Sequence, residues 1–179
     1  GGVLVVGNSG AGKTTLCFLA SAAEPEVFRP FCDDTALLDL SSGTPVCHPV
    51  NTGFGLTRFW LEKLGLAPAA EDILQFSRDK YYLTRVPHQE TSALPLVGAV
   101  VLERDTSISY GTEVKRLRPS EGLRALLACQ THIAGAYTTE RLRLFQGLAG
   151  MVPVLRFRYR EFCDADLFRE TVKGMVCCV

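Results

Sequence analysis

The feature that most constrains this chain is the stretch of residues 7–15, which read Gly-Asn-Ser-Gly-Ala-Gly-Lys-Thr-Thr. It matches the pattern G-x-x-x-x-G-K-[ST] at every fixed position, and that pattern requires a strand before it and a helix after it. Residues 2–6 are a short apolar, β-branched run, typical of a buried parallel strand. Residues 14–22 carry apolar side chains at helical spacing. The sequence therefore predicts a strand, a glycine loop and a helix in direct succession.

This succession indicates a phosphate-binding loop. Glycines let the backbone curl so that several N–H groups point at a polyphosphate, and the helix N-terminus adds its positive end. Lys13 would place an ammonium against the β- and γ-phosphates, and the Thr14 hydroxyl would ligate Mg²⁺. We therefore expect ATP and Mg²⁺ as cofactors. The residues expected to bind the nucleotide are Gly7, Asn8, Ser9, Gly10, Ala11, Gly12, Lys13, Thr14 and Thr15.

Charge and composition narrow the choice of partners. The chain has 19 basic and 19 acidic residues, whereas nucleic-acid binding normally requires a basic excess, so we expect no nucleic-acid partner. No apolar run is as long as a membrane span, so we expect no membrane partner either. The seven cysteines are an odd number without a Cys-x-x-Cys spacing. This pattern is typical of a reducing compartment and predicts a cytoplasmic location.

The patterning along the chain predicts a single α/β domain over residues 1–179 with a mixed sheet. Because the chain begins directly on the strand of the glycine loop, we expect N-terminal residues of a longer chain to be missing. The predicted strands are residues 2–6, 27–32, 35–40, 46–50, 80–85, 95–103, 113–117 and 152–159. The predicted helices cover 14–22, 139–150 and 164–174, with two more beginning near Thr57 and Pro119.

A pair of acidic residues, Asp33 and Asp34, opens the strand predicted at residues 35–40. Successive side chains of an extended chain point to opposite faces, so the two carboxylates are expected to have different tasks. We expect Asp33 to act as acid/base and Asp34 to face the metal together with Thr14. The alternative is a solvated turn, since aspartate is common in turns.

Several basic residues are further candidates for contact with an anion. Lys80 and Arg58 could reach a phosphate, although nothing in the sequence selects them. Arg156, Arg158 and Arg160 alternate along a predicted strand and therefore share one face. That face is either simply solvated or a patch for an anion or an acidic partner.

The order of these motifs resembles the HPr serine kinase/phosphorylase group and its HPr-kinase-like relatives. The shared elements are the loop at residues 7–15, the Asp-Asp-x-x-Leu-Leu-x-Leu run at 33–40, and three weaker motifs at 95–103, 117–123 and 152–157. The resemblance implies a P-loop domain with flanking helices and a fold similar to phosphoenolpyruvate carboxykinase. It also implies a metal role and an acid/base role for Asp33 and Asp34. Residues 51–55 are glycine-rich but lack the metal-binding glutamate of that group.

Three functions are compatible with these motifs. The leading prediction is ATP·Mg²⁺-dependent phosphoryl transfer to a hydroxyl, such as a serine on a protein substrate, with Lys13, Asp33 and Asp34 as catalytic residues. The second is a nucleotide-binding regulatory module without turnover. The third is a small-molecule kinase or a carboxykinase-like enzyme. Assembly into a homo-oligomer remains open.

Overall fold

The computed structural model describes residues 1–50, 53–75, 78–108, 111–129, 139–160 and 164–177. The described residues fall into two compact units. Unit 1 consists of Gly1–Lys13, Leu38–Cys47 and Leu94–Val179, and unit 2 consists of Thr14–Leu37 and His48–Ala93. Each unit is described by itself below. The prediction of a single domain stays a prediction.

The described part of the chain contains both strands and helices. The strands are β1 (Gly2–Gly7), β2 (Leu37–Asp39), β3 (Val46–His48), β4 (Phe54–Thr57), β5 (Ile73–Gln75), β6 (Lys80–Leu83), β7 (Leu94–Arg104), β8 (Glu113–Leu117) and β9 (Val154–Tyr159). The helices are α1 (Lys13–Ala23), α2 (Arg58–Lys63), α3 (Pro119–Ala128), α4 (Thr139–Met151) and α5 (Ala165–Cys177), with a 3₁₀ turn at Ala70–Asp72.

Unit 1 is built on a mixed sheet with β7 at its centre. Strands β1 and β9 both run parallel to β7, with Gly7 opposite Leu102 and Tyr159 opposite Arg104. Strand β3 is antiparallel to β7, β8 is antiparallel to β9, and β2 lies beyond β3. The parallel pairing brings the carboxyl ends of β1 and β7 to one edge of the sheet. In α/β proteins ligands usually bind at such an edge.

The apolar run of β7 explains its central place, because residues 99–102 are buried on both faces of the sheet. Helix α5 covers part of the sheet: Phe168 packs edge-on against Phe157 with ring centroids 5.6 Å apart. The Met175 methyl lies so close to Gly98 that a Cβ there would collide with it. The sheet and its helices therefore form the core of unit 1.

Unit 2 contains a smaller antiparallel sheet in the order β4-β6-β5. Its core includes Phe18 of α1 and Phe54 of β4, whose rings meet edge to face at 5.5 Å. Helix α2 begins after Thr57, as predicted from the sequence, and its C-terminal end is followed by Gly65 with φ of +64°. A positive φ at this position favours glycine, which is the usual residue there.

The structure confirms an α/β architecture with a mixed sheet and flanking helices. The strand predicted at residues 27–32 is wrong, because the described backbone forms a turn at residues 25–27 and no strand over 28–32. The N–H groups of Val27 and Phe28 both donate to the Glu24 carbonyl, which bends the chain back after α1. The strand predicted at 35–40 is shorter and begins at Leu37. Among the helices of the described segments, none is long and apolar enough to cross a bilayer.

Candidate functional site

The glycine loop, residues 7–13, belongs to unit 1 and follows β1, and α1 begins at its last residue, Lys13. Gly10 and Gly12 have φ of +79° and +77°, a conformation in which side chains with a Cβ are strained. A Cβ on Gly7 would lie 2.7 Å from the Leu102 carbonyl oxygen of the neighbouring strand. The Ala11 N–H donates to the Asn8 carbonyl at 3.0 Å and closes a tight turn. The backbone geometry therefore explains why glycine stands at these three positions.

Two side chains hold the glycine loop in place. The Lys13 ammonium donates to the carbonyls of Gly7 at 2.9 Å and Asn8 at 3.2 Å. The Tyr159 hydroxyl, at the end of β9, donates to the Ala11 carbonyl at 2.6 Å. Tyr159 is fully buried, and burial raises its pKa to about 12. The phenol therefore keeps its proton and remains a donor to the loop.

In unit 2 a hydroxyl and a carboxylate from the predicted site residues meet. Thr14 Oγ1 donates to Asp33 Oδ1 at 2.9 Å, and the Gly55 N–H donates to Asp33 Oδ2 at 3.0 Å. Asp33 is only 9% exposed. Burial raises its pKa above the ordinary value, although both hydrogen bonds act in the opposite direction. The structure thus brings Thr14 and Asp33 together, while Asn51 and Thr52 of the glycine-rich segment lie outside the described residues.

Asp34 differs from Asp33 in both exposure and backbone conformation. Its side chain is exposed and its φ is +59°, in the left-handed region. The Thr35 N–H donates to the Asp33 carbonyl at 2.6 Å, so the chain turns at Asp34. The expectation of an extended backbone at this pair is therefore wrong. Aspartate is among the few residues other than glycine that adopt this conformation readily.

Lys80 and Arg58, which the sequence did not distinguish, contact different groups in the structure. The end of the Lys80 side chain lies over Gly55, where an added Cβ would be 3.0 Å from Cε and 3.5 Å from Nζ. The Lys80 ammonium also lies 5.0 Å from the centre of the Tyr82 ring. Arg58 instead donates to the Tyr81 hydroxyl at 3.0 Å. Lys80 is therefore the cation beside the backbone segment that binds Asp33.

A pocket of about 680 Å³ opens in unit 1 at the carboxyl ends of β1 and β7. One wall is the glycine loop and another is helix α3. The lining residues are Asn8, Ser9, Gly10, Ala11, Leu102, Glu103, Arg104, Asp105, Arg124, Ala125, Ala128, Cys129 and Arg156. Burial and the Glu103 carboxylate raise the pKa of the Cys129 thiol, against the opposing influence of Lys13. We call this cavity the loop pocket.

The two carboxylates that line the loop pocket, Glu103 and Asp105, both form ion pairs with arginines. Arg156 Nε lies 3.1 Å from Glu103 Oε1, and Arg158 Nε lies 3.5 Å from Glu103 Oε2. Arg158 also reaches Asp105 at 2.5 Å and Glu113 at 3.0 Å. These contacts show that Arg156 and Arg158 are only partly solvated and pair with acidic groups of the protein.

Sequence patterns did not point to Tyr159 or Arg124. Tyr159 lies far from the loop in the sequence, and only the pairing of β9 with β7 brings it close. Arg124 is an ordinary polar position of an amphipathic helix, so no local signal marks it. A rule that ligands bind at the carboxyl ends of parallel strands would have drawn attention to Glu103, once the strand order was known.

Comparison with known proteins identifies no relative. A scan against protein-family models, a search of curated proteins and a search of solved structures each returned no significant match to this chain. The resemblance described above therefore rests on its motifs alone. Within the described segments, no group of three or more histidine, cysteine, aspartate or glutamate side chains could hold a metal ion.

Proposed function

We propose that this chain binds ATP with Mg²⁺ at the glycine loop and transfers the terminal phosphoryl group to a hydroxyl, such as a serine on a protein. In this proposal it is an HPr-kinase-like P-loop domain with a fold similar to phosphoenolpyruvate carboxykinase. The observation that carries the proposal is the hydrogen bond between Thr14 and Asp33. A loop threonine and an aspartate are the two protein groups that hold Mg²⁺ in P-loop enzymes.

The glycine loop supports the nucleotide part of the proposal. Its glycines adopt the positive φ angles that allow successive N–H groups to face an anion. Lys13 donates at present to two loop carbonyls, so its ammonium lies against the loop and can exchange these acceptors for phosphate oxygens. Tyr159 of β9 fixes the loop through the Ala11 carbonyl and so takes up no N–H donor. The loop is therefore preorganised for a polyphosphate.

The Thr14–Asp33 pair supports the metal part. Mg²⁺ takes oxygen ligands in a nearly ideal octahedron and is usually bound by one or two carboxylates together with substrate phosphates. Neighbouring ligands of such an octahedron, at about 2.05 Å from the metal, lie about 2.9 Å apart. The two side-chain oxygens are 2.9 Å apart. The pair therefore fits two adjacent positions around Mg²⁺, which would neutralise charge on the β- and γ-phosphates.

The geometry favours a different division of labour from the one expected from the sequence, where Asp34 was the metal residue and Asp33 the acid/base. Asp33 contacts the Thr14 hydroxyl and is held by the Gly55 N–H, so we assign it to the metal side. Asp34 is exposed on the turn that follows, so its carboxylate is open to an acceptor. There it would take the proton of the attacking hydroxyl, a contribution of typically about 10²–10⁴-fold in rate.

Incubation of the purified chain with labelled ATP and an extract of its source cells tests this function. We expect label to enter a protein, to require Mg²⁺, and to be lost with Lys13→Ala and strongly reduced with Asp34→Asn. ATP binding without any transfer would support the regulatory module instead. Label that appears only in a small-molecule fraction would support a small-molecule kinase. Transfer that is unaffected by Lys13→Ala would contradict the proposed site.

A further inference from the structure

We infer that Arg124 of helix α3 binds the phosphates of the nucleotide, and that the loop pocket receives them. This inference rests on the proposed function, which assigns the nucleotide to the glycine loop but gives no role to α3. It adds a cation that no sequence motif indicated. It also predicts a selectivity for the number of phosphates.

The position of the loop pocket supports a role for Arg124 in phosphate binding. Residues 8–11 of the glycine loop form one wall, and Arg124, Ala125, Ala128 and Cys129 line it from α3. Both walls belong to unit 1, and the pocket lies where β1 and β7 end. A polyphosphate that accepts hydrogen bonds from the loop would therefore have α3 across from it.

The balance of charge in the loop pocket supports an anionic ligand. Three arginines and two carboxylates line it. Glu103 and Asp105 are engaged by Arg156 and Arg158 at 2.5–3.5 Å. Both carboxylates of the pocket are therefore already paired with arginines of the protein, which leaves the pocket able to accept an anionic ligand.

The surroundings of Arg124 also support its role in phosphate binding. Arg124 is exposed at the middle of α3, and no carboxylate of the described segments lies within ion-pair distance of its guanidinium. Arg104, which also lines the pocket, uses its Nε to donate to the Arg160 carbonyl at 3.4 Å. Arg124 is thus a guanidinium of the pocket for which the described segments provide no carboxylate partner, while Arg104 is engaged by a backbone carbonyl.

The chemistry of guanidinium identifies the class of ligand. Its planar fork of N–H donors pairs with two oxygens of a phosphate at once, and it is always charged. Such a contact is worth more as the ligand carries more negative charge. We therefore expect Arg124 to matter most for ATP, less for ADP and little for AMP.

Calorimetry with ATP, ADP and AMP tests the inference on the whole chain. Arg124→Gln should weaken ATP binding about tenfold to a hundredfold, the loss of one charge-assisted contact, with little effect on AMP. Arg124→Lys should restore part of the affinity, because it keeps the charge without the planar fork. Arg116→Gln is the matched control: it removes an exposed arginine of unit 1 that does not line the pocket, and it should bind like the parent.

The outcomes separate this inference from the function on which it rests. If the parent binds ATP and Arg124→Gln binds it equally well, the inference is overturned and the proposed function stands. If the parent binds none of the three nucleotides, both are overturned. Circular dichroism of the Arg124 variants confirms folding, which we expect to be unaffected because the side chain is exposed.

Alkylation of Cys129 is a second, independent measurement. Cys129 lines the loop pocket, and its raised pKa calls for an alkaline buffer to give a measurable rate with iodoacetamide. ATP at saturation should slow modification of Cys129, followed by mass spectrometry, and leave that of the exposed Cys177 unchanged. Equal rates at Cys129 with and without saturating ATP would show that the nucleotide does not enter this pocket.

Discussion

Replacement of Asp33 by asparagine should separate metal binding from folding. Asp33 is 9% exposed, and its carboxylate accepts hydrogen bonds on both oxygens, from Thr14 and from Gly55. Asparagine has the same shape. Its carbonyl oxygen can accept from the Gly55 N–H while its amide donates to Thr14 Oγ1, since a hydroxyl can also accept. Both contacts survive, so we expect the variant to fold.

The expected effect on stability is small because two changes oppose each other. A hydrogen bond to a charged group contributes about 1.5–3 kcal/mol and a neutral one about 0.5–1.5 kcal/mol, so the variant loses part of each contact. It also no longer buries a charge, and that burial is the largest cause of the raised pKa of Asp33. We expect the free energy of unfolding at neutral pH to change by less than about 1 kcal/mol.

The pH dependence has a definite sign. Folded Asp33 keeps its proton to a higher pH than unfolded Asp33, whose pKa is 3.8, so the folded state binds more protons in the interval between the two values. Stability from this group therefore falls as pH rises from 3.8 through the raised pKa. Asparagine does not titrate, so this fall should be absent in Asp33→Asn. Urea denaturation at a series of pH values measures the difference.

Calorimetry of ATP with and without Mg²⁺ measures the functional effect. In the parent, Mg²⁺ should increase ATP affinity, and in Asp33→Asn this gain should shrink about tenfold to a hundredfold, as for a lost charge-assisted contact. Asp34→Asn is the matched control and should keep the gain in full. A normal Mg²⁺ effect in Asp33→Asn, with a loss in Asp34→Asn, would refute our assignment and support the one expected from the sequence.

Three further predictions concern the loop and its surroundings. Tyr159→Phe removes the donor to the Ala11 carbonyl, so the free energy of unfolding should fall by about 1 kcal/mol and ATP binding should weaken; urea denaturation with an unchanged midpoint would contradict this. Gly7→Ala places a Cβ 2.7 Å from the Leu102 carbonyl oxygen, so thermal unfolding should reveal a loss of about 1–3 kcal/mol, and a wild-type melting temperature would refute it. Glu121, whose pKa is lowered to about 2 mainly by the backbone N–H that precedes α3, stabilises the fold above pH 4.5 and loses that effect as pH falls toward 2. Glu121→Gln should therefore flatten the acid part of a pH-denaturation curve. An unaltered curve would contradict the stabilising contact between the Arg118 N–H and the Glu121 carboxylate.

Local features of the fold were predictable from the sequence. The glycine-loop motif has fixed spacing and requires a strand before it and a helix after it. Strand β1 and helix α1 lie at these positions. Strand β8 was predicted with its observed bounds, Glu113–Leu117, because a turn segment precedes it and Pro119 begins the next helix. Such signals lie within a few residues of the element they specify.

Features that depend on distant residues were not predictable. The Tyr159–Ala11 and Gly55–Asp33 hydrogen bonds join residues far apart in the sequence, and no periodicity encodes them. A strand was expected at residues 27–32, since an apolar run alone does not reveal that the N–H groups of Val27 and Phe28 donate to the Glu24 carbonyl after α1. The turn at the paired aspartates was not predictable for a similar reason: no periodicity reveals the positive φ at Asp34. The roles expected for Asp33 and Asp34 stay predictions.

The central claim is that the glycine loop binds the phosphates of ATP, and calorimetric titration of Lys13→Ala with Mg²⁺·ATP tests it most directly. The parent should bind Mg²⁺·ATP, and the variant should bind it about tenfold to a hundredfold more weakly, because one charge-assisted contact of about 1.5–3 kcal/mol is lost. The fold should be retained, since the Lys13 ammonium donates to two carbonyls of its own loop, and its contact with Asn8 is exposed. Equal affinities for the parent and Lys13→Ala would contradict the claim.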